Sequence, residues 1–223
     1  MLSHRTRTSA VCLVPLAVGL IGPPARAQTL YYDRASFLGD AAITTTSSIN
    51  FDDLLTGRDL TNATIDGVTF QAPGTSPLLV TEGSIRFVLS PSTPPKVLSP
   101  GGNDPSAQND DLMLVFDNPV RAAGLDVVYD VPDGLSFVSV TFMDKDGHTL
   151  ASNGFIPSPS GAPGYGLVGC VSTTGNIKRI LFNEFDGSAP DDNVAYDSIV
   201  LSPGVTPVPE GGSLAGLLPC LVM

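Results

Sequence analysis

Two acidic stretches carry most of the chemistry this chain can offer. Ile49-Asn50-Phe51-Asp52-Asp53 and Asp191-Asp192-Asn193-Val194-Ala195-Tyr196-Asp197 both set carboxylates and amides beside apolar, β-prone residues. Carboxylate and carbonyl oxygens are what Ca²⁺ takes, six to eight at a time. Asp52, Asp53 and Asp192 are therefore candidate ligands of a structural Ca²⁺, with Asp191 and Asp197 in reserve. The alternative is a solvated acidic rim. Either arrangement requires a first and a last strand to lie side by side. Asp144-Lys145-Asp146-Gly147 starts like a calcium loop, but its fifth position is His148 and its twelfth Phe155, so a hairpin turn fits it better.

Catalytic constellations are scarce. His148, the one histidine after residue 27, follows a turn, and an exposed turn residue is the expected reading. Cys170 has apolar neighbours and no base beside it, so it reads as a small core hydrophobe. No Gly-x-Ser-x-Gly elbow or His-Glu-x-x-His motif occurs. Glu184 and Asp186 would serve a secreted hydrolase only if a cleft held two carboxyls about 5–9.5 Å apart. No catalytic residue and no organic cofactor site is assigned, and the chain reads as non-enzymatic. For carbohydrate binding there is no Trp to form a flat platform. Tyr31, Tyr32, Tyr129, Tyr165 and Tyr196 remain, and Tyr165, within Pro163-Gly164-Tyr165-Gly166, is the candidate ligand-binding residue.

Those residues must be held by turns and short strands. The chain has 223 residues, 42% of them hydrophobic, with 23 Gly and 20 Pro, enough for one sizeable core and poor in long helices. His4-Arg5-Thr6-Arg7, the apolar run Ala10–Gly22 and Ala25-Arg26-Ala27 have the order of an export signal, cleaved after Ala27. The apolar run is too short to span a bilayer, which takes about 20 residues. The protein is expected to leave the cell by the Sec pathway, meeting the membrane only in passing. Residues 28–223 keep 8 of the 11 basic residues and all 22 acidic ones, a net charge of −14 that makes nucleic acid a poor partner.

From residue 28 the pattern is nearly all strand. Asp33 and Gly39 cap one short helix. Asp66-Gly67 marks a hairpin, and Asp117-Asn118-Pro119 should end the strand carrying Leu112, Leu114 and Phe116. Ala123, Leu125 and Val127 share one face of the next strand, and Val138, Val140 and Phe142 alternate with polar neighbours. Ser99 to Pro105 reads as an exposed loop that does not pack. The sum is an all-β, antiparallel β-sandwich over residues 28–202, with residues 1–27 as signal peptide and 203–223 as linker and tail.

The order Ile49-Asn50-Phe51-Asp52-Asp53-Leu54, Asp66-Gly67-Val68-Thr69-Phe70, Phe116-Asp117-Asn118-Pro119-Val120, Phe142-Met143-Asp144-Lys145-Asp146-Gly147, Asp192-Asn193-Val194-Ala195-Tyr196-Asp197 resembles exported bacterial proteins of the PEP-CTERM class. The ending Val208-Pro209-Glu210 resembles their sorting motif. The resemblance implies processing by an exosortase, a cell-surface or extracellular-matrix place, and a link to extracellular polysaccharide. Gly211 stands where that class has a second Pro, and the 13 uncharged residues from Gly211 to Met223 lack a basic cluster, so the tail reads as truncated or degenerate. The acidic last strand is also similar to that of jelly-roll carbohydrate-binding modules whose first and last strands share a calcium. A calcium-stabilised module of that kind is the alternative reading.

Overall fold

A computed structural model describes residues 28–40, 42–44, 46–74, 76–83, 95–102, 111–130, 138–155, 164–184 and 193–204, the side chains of 129, 130, 155, 164, 165, 184 and 193 excepted. Ala25, Ala27, Asp186, Asp191, Asp192 and the Val208-Pro209-Glu210 ending lie outside the described residues. No helix among the described residues is long and apolar enough to cross a membrane.

The strands are β1 (Gln28–Tyr31), β2 (Ser47–Ile49), β3 (Thr64–Ile65), β4 (Val68–Gln71), β5 (Leu78–Glu82), β6 (Lys96–Pro100), β7 (Leu112–Asp130), β8 (Val138–Met143), β9 (Thr149–Phe155), β10 (Gly164–Ser172), β11 (Ile177–Glu184) and β12 (Asn193–Pro203), with one helix, α1 (Arg34–Leu38). Every pairing is antiparallel. One layer runs β3-β4-β7-β11-β8-β9. The other runs β1-β10-β7-β12-β6-β5, with β2 also on β12. The fold is an antiparallel β-sandwich, and the last strand does meet an early one, with Ile199 opposite Ile49. The early strand is shorter than expected: β2 stops at Ile49, and Asn50 to Asp53 turn away from it.

Strand β7 belongs to both layers. Its first part, Leu112–Phe116, pairs with β4 and β11, and its second part, Ala122–Tyr129, with β10 and β12. Asp117-Asn118-Pro119 was expected to end the strand; instead the 19-residue strand bends there and continues. The inward set changes phase just past the bend, between Val120 and Ala123. Leu112, Leu114, Phe116 and Val120 face the core before the change, and Ala123, Leu125 and Val127 after it. A period-two strand can do this only by slipping one residue, and the β7–β12 register slips by one there, Ser202 and Pro203 standing opposite Ala122 and Val120. The Lys178 ammonium donates to the carbonyls of Phe116 and Asp117, the latter at 2.8 Å, satisfying oxygens next to the bend.

Rings from both layers meet in the core. Phe182 of β11 and Tyr196 of β12 have centroids 5.3 Å apart, and Phe51 and Phe70 pack edge to face at 6.0 Å. All four are buried. Burying each contributes roughly 1.5–3 kcal/mol.

The β10–β7–β12 layer is buried on its outer side too. Helix α1, capped by Asp33 accepting from the Ser36 amide at 2.7 Å, lays Phe37 over Gly124 and Gly169, which are direct cross-strand partners. A Cβ at Gly169 would stand 2.7 Å from the ring, so only glycine leaves room for it.

Ser99 to Gly102 correct a second expectation. β6 runs to Pro100, and all four residues are buried, not exposed. Gly101 and Gly102 take φ of 70° and 62°, which folds the chain under Leu79, and Ser99 Oγ bonds the Gly102 carbonyl at 3.2 Å. The rest of that predicted loop, 103–105, lies outside the described residues.

Candidate functional site

A cleft of about 630 Å³ opens where β7 bends between the layers, a volume in the range of small-ligand sites. Three turns and a strand end make it. The β3–β4 turn brings Asp66 and Gly67, the β7 bend brings Phe116 to Val120, and the β10–β11 turn brings Thr174, Gly175 and Asn176. The end of β12 brings Leu201, Pro203 and Gly204, and Ser47 closes it.

Each wall is fixed by backbone chemistry. Asp66 and Gly67 both have positive φ, 48° and 78°, as a two-residue hairpin turn requires. Their turn is tied to the bend, because the Asp117 amide donates to the Gly67 carbonyl at 2.8 Å. At Gly204 an added Cβ would stand 2.6 Å from the Pro119 carbonyl and 2.9 Å from that of Gly175. Glycine there lets the last strand pass between the bend and the β10–β11 turn. In that turn the Asn176 Oδ1 accepts from Ser172 Oγ at 2.7 Å and Thr174 Oγ1 at 2.6 Å.

The resulting surface has two chemistries. Phe116, Pro119, Val120, Leu201 and Pro203 supply apolar wall, and Asp66, Asp117, Asn118, Thr174 and Asn176 supply carboxylates, amides and a hydroxyl. Among the described residues nothing pairs with the side chains of Asp66, Asp117 or Asn118, or with the Asn176 Nδ2 donors. Such a surface suits a ligand with an apolar face edged by hydroxyls.

Sequence patterns marked these residues as turns and nothing more. Asp-Gly, Asp-Asn-Pro and Thr-Gly-Asn are each ordinary turn spellings, and their convergence depends on the bend in β7, which has no local signature.

Those residues singled out from sequence that lie among the described ones fall elsewhere. Asp52 Oδ1 accepts from the Lys96 amide at 3.1 Å, and its carbonyl accepts from the Lys96 ammonium at 2.9 Å, so an internal cation already serves that strand end. Asp53 is exposed. Asp197 is buried directly across from Asp126, and Arg34 pairs with Asp126 at 2.6 Å while reaching the Ser198 carbonyl at 3.2 Å. Ser198 has φ of 46°, at a bulge in β12. Tyr165 lies in β10 opposite Val128. Tyr196 is a core residue, and burial pushes the thiol of Cys170 up to about 12, leaving it protonated.

The β8–β9 turn holds a further group. Asp144, Asp146 and His148 each offer one ligand atom, all within 4.8 Å of one another, so the three could hold a metal ion. Asp144 is buried and its carboxylate is well occupied: Oδ1 accepts from the amides of Asp146 and His148, both at 2.9 Å, and Oδ2 lies 3.2 Å from His148 Nδ1. Burial raises its pKa, but those donors outweigh it and hold the carboxyl below the ordinary range. Lys145 grips both oxygens of Asp146, at 2.7 and 2.8 Å. His148 is the exposed turn residue expected from sequence.

No family profile and no characterised protein sequence matches the chain. Several solved structures are similar to it at a distance, three of which follow. The K2 cleaved adhesin domain of Lys-gingipain is 13% identical with a TM-score of 0.47, over 72% of this chain and 99% of that domain. The K3 cleaved adhesin domain of Lys-gingipain from Porphyromonas gingivalis w83 is 15% identical with a TM-score of 0.33, over 80% of this chain and all of that one. The enzymatically active domain of tailspike protein 4 from Bacteriophage CBA120 is 18% identical with a TM-score of 0.28, over 70% of this chain and 19% of that one. Likenesses this distant carry neither ligand nor activity across.

Proposed function

We propose that this is a non-catalytic β-sandwich protein that works outside the cytoplasm and binds extracellular polysaccharide through the cleft at the β7 bend. The observation that carries the reading is the pairing within that cleft of an apolar wall with uncommitted carboxylates and amides. A sugar ring presents C–H faces and ring-edge hydroxyls. Pro119 and Pro203, both exposed, can pack against the first, and Asp66, Asp117, Asn118 and Asn176 can bond the second. Prolines stand where aromatic platforms are usual, which fits a sequence without Trp. The export signal before residue 28 and the ending Val208-Pro209-Glu210 support delivery to the surface, with an exosortase as the partner of the tail.

The test is a panel of immobilised polysaccharides probed with the wild-type protein and with Asn118→Ala/Asn176→Ala. At least one polysaccharide should be retained, and the double variant should release it at least tenfold more readily while Tyr165→Ala does not. A double variant that binds like wild type, or a protein that ignores the whole panel, would remove the reading.

A further inference from the structure

We infer that the glycan held in the cleft is free of carboxylate and sulfate groups, and that a free sugar amine strengthens its hold. This rests on the polysaccharide reading above and concerns the same site.

The charge of the cleft walls carries it. Asp66 and Asp117 stand on one wall, joined through the Asp117 amide and the Gly67 carbonyl at 2.8 Å. A Cβ placed on Gly67 would lie 3.7 Å from Asp117 Oδ2, so the second carboxylate leans over the turn that holds the first. Neither side-chain carboxylate has an ion-pair or hydrogen-bond partner among the described residues. No basic side chain is among the described residues lining the cleft. Lys178, next to the bend, donates its ammonium to the carbonyls of Phe116 and Asp117 instead.

A uronate or sulfate entering this space would meet net negative charge, two carboxylates against the one ammonium of Lys178 at the rim, which is already turned to the carbonyls of Phe116 and Asp117. An ammonium would meet two acceptors of opposite charge. The surface beyond the cleft adds to the bias, since residues 28–223 carry 22 acidic against 8 basic residues. Exposed pairs of this kind are worth about 1 kcal/mol at most, or roughly fivefold in affinity, and salt screens them.

The experiment compares three oligomers of equal length by calorimetry: glucosamine, N-acetylglucosamine and a uronic acid. The buffer holds low salt and a chelator at about pH 5.5, where carboxylates are ionised. Asp66→Asn/Asp117→Asn tests the cleft. Asn accepts the left-handed backbone that Asp66 requires, so the hairpin is kept. Asp53→Asn/Asp146→Asn removes the same charge from exposed positions elsewhere.

The amine oligomer should bind about fivefold tighter than its acetylated counterpart, and the uronate most weakly. The cleft variant should bring the amine-to-acetyl ratio to about one, and the surface variant should keep it. A uronate that binds as tightly as the acetylated oligomer would overturn the inference. So would an amine preference that survives in the cleft variant, or one lost equally in the surface variant. Amine and acetylated oligomers bound equally by the wild-type protein would overturn this inference and leave the polysaccharide reading standing. No binding by any of the three, from a protein that retains a polysaccharide of the panel, would overturn this inference alone, and a protein that ignores the panel as well would lose both.

Discussion

The two layers treat their outer faces differently. On β4, β8 and β11, inward residues such as Val68, Phe70, Val140, Phe142, Ile180 and Phe182 are fully buried, and their neighbours Thr69, Thr141 and Leu181 are only half covered. On β7 after the bend and on β12, every residue from Ala122 to Val128 and from Val194 to Ser202 is buried, whichever way it points. The first layer has one side in water. The second is packed on both, beneath α1 on part of its outer face. A layer buried twice must find partners for any polar group it carries. Asp126 is such a group, and Arg34 of the segment that brings Phe37 is its partner. The N-terminal β1–α1 segment is thus a structural cover whose removal should be felt far more than changes on the open layer.

Phe37→Ala should have the largest effect, lowering unfolding free energy by about 3–5 kcal/mol in denaturant melts. Gly169→Ala pushes a methyl into the same ring and should cost about 1–3 kcal/mol. Combined with Phe37→Ala it should cost clearly less than alone, because the ring it meets is gone.

Arg34→Met comes next. It leaves the carboxylate of Asp126 buried without its cation and should cost about 1–3 kcal/mol. Arg34→Met/Asp126→Leu should recover a good part of that, since removing both members of a pair is milder than orphaning one. If the double variant is the less stable, the pair holds α1 in a way that apolar packing cannot replace.

The acid limb of stability separates the layers by charge. Asp144, on the open layer, has its carboxyl held below the ordinary value by the donors of His148 and Asp146. A lowered folded pKa means a contribution present above the unfolded value, about 3.9, and lost as pH falls through the folded one. Thermal midpoints should therefore drop below about pH 4, and Asp144→Asn should make that drop shallower. An equally steep drop in the variant would mean that other carboxylates carry the acid limb. The smallest effect should come from Thr141→Ala. It loses an exposed 3.0 Å contact with Ser152 on the open face and should stay within about 0.5 kcal/mol of wild type.

The same contrast governs how much of the fold could be read beforehand. On the open layer, Leu112, Leu114 and Phe116, and Val138, Val140 and Phe142, alternate with half-exposed residues, and this alternation gave their strands and inward faces directly. Asp33 and Gly39 likewise bounded the helix. On the covered layer the inward face of Ala123, Leu125 and Val127 was legible. The burial of Ala122, Asp126 and Val128 was not, because a side chain's second neighbour comes from a distant segment. Asp197 read as a reserve Ca²⁺ ligand or as part of a solvated rim for that reason, and it is a buried residue opposite Asp126. The cleft was the least legible part. Its residues are spelled as turns, and only the passage of β7 from one layer to the other brings the turns together.

Titrating isotope-labelled protein with the polysaccharide it retains, and following backbone amides by NMR, tests binding at the bend most directly. Perturbations should cluster at Asp66, Gly67, Asn118, Thr174, Gly175, Asn176 and Gly204 and leave Ser139, Thr141 and Ser152 on the open face unmoved. Perturbations centred on that open face, with the turns around the bend unchanged, would contradict the account.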